Sequence, residues 1–82
     1  MRLRLEFFGR FSDIQQPRDV VLNQPLQSVS ALTAWLASED DRITPLLERP
    51  GSRVIVNGRM AQAETPLQDG DEVALFSAVS GG

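Results

Sequence analysis

Both ends of the chain are patterned as strands, and this limits what the residues between them can build. At the start, Leu3, Leu5 and Phe7 alternate with Arg2, Arg4 and Glu6, which is the period of a strand with one buried face. At the other end residues 72–76 read EVALF, with Val73 and Leu75 on one face and Ala74 and Phe76 on the other. Two such strands in one chain of 82 residues are suited to lie side by side in the centre of a sheet. A parallel pairing of the two needs a long crossover, and the intervening chain supplies it.

The crossover contains one clear helix. In residues 28–38, SVSALTAWLAS, the residues Val29, Leu32 and Leu36 recur at helical spacing with Trp35 beside them. Ser28 is placed to cap the first turn through its hydroxyl. The acidic run Glu39-Asp40-Asp41 follows. Acid at a helix C-terminus opposes the dipole, so the helix is expected to stop before Glu39, with the run as a solvated helix end. Ile43–Leu47 can add a short turn before Pro50-Gly51. A short second strand is expected at residues 19–22, between Pro17 and Pro25. In RVIVNGRMA two apolar runs flank Asn57-Gly58, the pair best suited to a type I′ hairpin turn. PLQDGD then forms a turn-rich loop. The sum is an α+β domain, with a mixed sheet packed on one main helix. We expect residues 1–76 to form that domain and residues 77–82 a flexible C-terminal tail.

The side-chain inventory removes most enzyme classes. The chain has no His and no Cys, so it cannot build a Ser-His-Asp triad, a Cys-His pair or a His- or Cys-based metal site. No glycine pattern for nucleotide phosphates occurs. The cluster Asp69, Asp71 and Glu72 lacks the spacing of a calcium loop, and reads as turn chemistry around Gly70. The net charge of -3 argues against a nucleic-acid partner. No apolar run approaches the ~18 residues of a membrane span. With no export signal after MRLRLEFF, a cytoplasmic protein is expected.

Two features are left without a structural role. Phe8 and Phe76 fall out of phase with the buried faces of their strands, and Met60 follows the hairpin turn. Together they make either a partner patch or a second, smaller core. The chain also ends on Gly81-Gly82, where no turn or cap can follow. Glycine is costly to order, but a terminal glycine carboxylate has no Cβ beside it. It can enter a narrow channel and present its carbonyl unhindered. Activated as a mixed anhydride with AMP in a partner's active site, it would accept a sulfur nucleophile.

LEFFGRFSDI, VNGR, PLQDGDEVALF and the ending VSGG carry a resemblance across essentially the whole chain. The sequence resembles the ubiquitin-like β-grasp sulfur carriers of the MoaD/ThiS family, and within it the small subunit of molybdopterin synthase. The resemblance implies that Gly82, preceded by Gly81, is adenylated and then converted to a thiocarboxylate. It implies sulfur donation to cyclic pyranopterin monophosphate, forming molybdopterin, within a heterotetramer of two small and two large subunits. The implied partners are the large synthase subunit (MoaE type), a ubiquitin-activating-like adenylyltransferase (MoeB type) that uses ATP, and a sulfur donor. No cofactor bound to the chain itself is implied, and the catalytic groups belong to the partners. Phe8, Met60 and Phe76 match the family's apolar docking positions, and Val79 and Ser80 accompany the tail into the partner. Prolines common before the glycines in the family are absent from residues 77–80. Two other readings stand beside this one: a carrier serving a thiazole, tRNA or amino-acid pathway, and an interaction module with an inert tail.

Overall fold

A computed structural model describes residues 1–77. The elements run β1 (Arg2–Gly9), a 3-10 turn (Arg10–Asp13), β2 (Arg18–Val21), α1 (Val29–Glu39), α2 (Ile43–Leu47), β3 (Arg53–Val56), β4 (Arg59–Met60) and β5 (Glu72–Ser77). They form one five-stranded sheet in the order β2-β1-β5-β3-β4. The two end strands, β1 and β5, are parallel neighbours in its centre, with Leu5 opposite Val73 and Phe7 opposite Leu75. The outer pairings are antiparallel.

Alternation decides which face is covered. Leu3, Leu5 and Phe7 of β1 and Val73 and Leu75 of β5 are buried and join Val29, Leu32 and Leu36 of α1 in one core. Burial of each such side chain contributes roughly 1.5–3 kcal/mol. Phe11, on the 3-10 turn, and Ile43, on α2, are also fully buried. These close the ends of the layer between helix and sheet.

Local chemistry fixes the joints. Ser28 is extended, and its hydroxyl accepts the amide of Ala31 at 3.2 Å, which caps α1. Asn57 and Gly58 both have positive φ, 51° and 83°, as a type I′ turn requires. Asn57 also ties the hairpin to the loop before β5: its amide donates to Asp71 at 2.8 Å and its carbonyl accepts the amide of Glu72 at 2.9 Å. The second carboxylate oxygen of Asp71 accepts the amide of Gln68 at 2.8 Å, and Asp69 accepts the amide of Arg2 at 2.6 Å. The acidic loop therefore organises the backbone around it.

Three boundaries differ from the sequence expectation. β2 occupies residues 18–21 instead of 19–22, because Arg18 pairs with Leu5 in the ladder. Its guanidinium lies 5.8 Å from the Trp35 ring centroid and 3.5 Å from Glu39. The same contact lets α1 take in Glu39, since the nearby cation offsets the unfavourable dipole. Asp40, expected to be solvated, instead closes the helix. It accepts the backbone amide of Arg42 at 3.0 Å, its guanidinium at 2.9 Å, and the Gln15 amide at 2.9 Å.

The Arg42 guanidinium and then the Arg42 amide hold the Asp40 carboxyl well below the usual carboxylate range. A depressed native pKa contributes stability above the unfolded value of about 3.9 and loses it as pH falls toward the native value. Asp40→Asn is therefore expected to flatten the acid limb of stability below about pH 4. Thermal unfolding of parent and variant across the acid range checks this; identical acid slopes would contradict it.

The third difference is at the end of β5. The strand includes Ser77, which the sequence reading assigned to the tail. Ser77 is in phase with Val73 and Leu75, is 1 % exposed, and pairs with Gly9 of β1. Gly9 has φ +63°, and a Cβ there would overlap the Ser77 carbonyl oxygen. Only glycine permits this approach at this backbone angle. Gly9→Val is expected to cost at least about 3 kcal/mol, lowering Tm by more than about 10 °C for a domain of this size. An unchanged Tm in a thermal melt would rule out the close approach.

Candidate functional site

The side of the sheet away from α1 carries the residues that the core leaves out. Register assigns them to rows. Phe8 of β1 pairs with Phe76 of β5, and Phe76 pairs with Arg53 of β3. In the next outward row Glu6, Ala74, Ile55 and Met60 follow one another across β1, β5, β3 and β4. Phe8 is 48 % exposed, Phe76 39 % and Met60 61 %. No second core covers them among the described residues, so the three apolar side chains share one open sheet face.

The sequence phase located Phe8 and Phe76 on this face, and the hairpin register brings Met60 to the same side. Ala74, which the strand phase puts beside Phe76, joins them, and so does Ile55, which the sequence does not single out. The signal for Ile55 is its place two residues before the Asn57-Gly58 turn. Exposed patches of this kind are a common feature of partner sites.

The patch adjoins the end of β5. Phe76 is the next-to-last residue of the strand, so the described residues end one position beyond the patch. The remaining sequence-predicted residues, Val79, Ser80, Gly81 and Gly82, lie outside the described residues.

Among the described residues no group of three or more metal-ligating side chains converges. No helix is long and apolar enough to cross a membrane. On the open sheet face Arg4 pairs with Glu6 at 3.4 Å and with Asp19 at 3.5 Å, contacts that solvent screens.

A mixed sheet with parallel end strands gripping one main helix defines a ubiquitin-like β-grasp protein. The fold matches a ubiquitin of Caldiarchaeum subterraneum over 100 % of this chain and 98 % of that one, with TM-score 0.59 and 17 % identity. The chain belongs to the ThiS family, whose model matches residues 5–82. It is 30 % identical to the molybdopterin synthase sulfur carrier subunit of Escherichia coli K12 over 98 % of this chain and 99 % of the relative. The solution structure of the HVO 2177 protein of Haloferax volcanii matches with TM-score 0.78 and 29 % identity, over 100 % of this chain and 87 % of that one. A chain in the complex of subunits 1 and 2 of the molybdopterin-converting factor of Helicobacter pylori matches with TM-score 0.64 and 24 % identity, over the whole of both chains.

Proposed function

We propose that this protein is the sulfur-donating small subunit of a molybdopterin synthase. The single observation that carries the reading is the arrangement at the end of β5: an outward Phe76 within an apolar face, followed by a sequence that ends in Gly81-Gly82. Its similarity to the Escherichia coli sulfur carrier subunit supports the choice of pathway.

The chemistry divides between the chain and its partners. The Gly82 carboxylate attacks the α-phosphorus of ATP in an activating enzyme, giving an acyl adenylate and pyrophosphate. Hydrosulfide-level sulfur from the donor then attacks the acyl carbon and displaces AMP, leaving a thiocarboxylate; sulfur arriving as a persulfide needs a thiol to reduce the acyl disulfide that forms. The apolar face docks on the large synthase subunit. The thiocarboxylate sulfur bonds to a carbon of cyclic pyranopterin monophosphate as an oxygen substituent departs. Water then cleaves the thioester, leaving sulfur on the pterin and a carboxylate on Gly82. The docked complex of two converting-factor subunits in Helicobacter pylori supports a large-subunit partner. Two sulfurs per product favour an assembly of two small and two large subunits. The lack of His and Cys fits this division, because every acid, base and metal can belong to the partner.

A second reading keeps the carrier chemistry and changes the recipient to a thiazole, tRNA or amino-acid pathway. The ThiS family match favours considering it. Molybdenum-cofactor production in a strain lacking this protein separates the two. On the first reading production falls to background and recovers with the intact chain. Normal production without the protein would assign the sulfur to another pathway.

A further inference from the structure

Beside the apolar patch, Arg53 has no carboxylate within ion-pair distance among the described residues. It ends the row Phe8–Phe76–Arg53 and is exposed. Its guanidinium donates to the carbonyl of its own neighbour Ser52 at 2.8 Å. The β1 side of the same face differs. There Glu6 is matched by Arg4 at 3.4 Å, and Arg4 also reaches Asp19 at 3.5 Å. Glu72 lies on this face too, at the opposite end of β5 from Phe76. The apolar patch is thus flanked by an unmatched cation at its β3 end, in a chain whose net charge is -3.

Resting on the docking reading above, we infer that the partner surface receiving Phe8 and Phe76 carries an Asp or Glu side chain placed to meet Arg53. A guanidinium presents a planar fork of donors that suits a carboxylate. At the rim of an apolar contact such a pair sets orientation and encounter rate more than affinity. Arg53 would therefore fix the rotation of the sheet face on its partner. That rotation decides where the strand end, and the chain beyond it, enters.

The test is the association rate with the cognate large synthase subunit at low and high salt. Arg53→Glu is expected to slow association about tenfold at low ionic strength, and Arg53→Gln by less. Both deficits should shrink when salt is raised toward 1 M, where the screening length falls to about 3 Å. Arg53→Gln removes the charge without adding a like one and carries the test if the reversal unfolds the chain. Rates within about twofold of the parent at low salt, or a faster Arg53→Glu, would overturn the inference. Phe76→Asp serves as the separate control. Weakened binding by Phe76→Asp with normal Arg53 variants would leave docking intact and remove only the carboxylate; normal binding by Phe76→Asp would remove the docking reading and this inference with it.

Discussion

Deleting Gly82 is expected to abolish sulfur transfer completely while leaving the domain as stable as the parent. The described core runs from Leu3 to Leu75, and the stability expected of the variant rests on that core. The chemistry, on the proposed function, draws on Gly82 and on nothing else in the chain. Shortening by one residue leaves Gly81 as a carboxylate of the same kind, but withdraws it by up to about 3.5 Å of extended chain. Misplacement of about 1 Å at a reacting centre can cost on the order of a hundredfold in rate, so a shift of one residue should exceed that. The check is product formation by the reconstituted synthase beside a thermal melt of the variant. Full activity with Gly82 removed would mean that the terminus is not the donor.

Phe76→Asp is expected to weaken binding to the large subunit by at least about 2 kcal/mol, roughly thirtyfold in Kd. Phe76 is the member of the patch nearest the chain end and lies between Phe8 and Arg53 in its row. An aromatic side chain in that central place, desolvated by the partner, fits the character of a binding hot spot. The aspartate would put an unpaired charge into the same contact, and its burial without a partner is costly. In the free chain Phe76 is 39 % exposed, so the fold should lose only the modest strand preference of an aromatic over an aspartate, about 1 kcal/mol or less. Titration calorimetry separates the two effects. Unchanged affinity would take Phe76 out of the interface.

Residues obeying local rules were the ones that could be read from the sequence. The alternation in β1 and β5 reflects a sheet covered on one side, and the same phase exposed Phe8 and Phe76. Asn57-Gly58 named its turn because few residues accept two positive φ angles. The helix followed from the spacing of Val29, Leu32 and Leu36. Features set by tertiary partners were not visible. Phe11 is buried although it sits in a short 3-10 turn with no period to announce it. Asp40 became a clamp through Gln15 and Arg42, one of them 25 residues away. Ser77 looked like tail because it is small and polar, yet strand phase buries it beside Gly9. The apolar sheet face was half legible: side-chain phase located Phe8, Ala74 and Phe76, but only the register between β3, β4 and β5 adds Ile55. The unmatched charge of Arg53 needed coordinates, since pairing depends on which carboxylates lie near.

The central claim is that the chain end carries sulfur. The most direct measurement is the intact mass of the protein after incubation with its cognate activating enzyme, ATP and a sulfur donor. The account predicts a shift equal to one oxygen exchanged for sulfur, located at Gly82 by fragmentation and absent when ATP is withheld. An unchanged mass under conditions in which the activating enzyme thiocarboxylates a known carrier would contradict it.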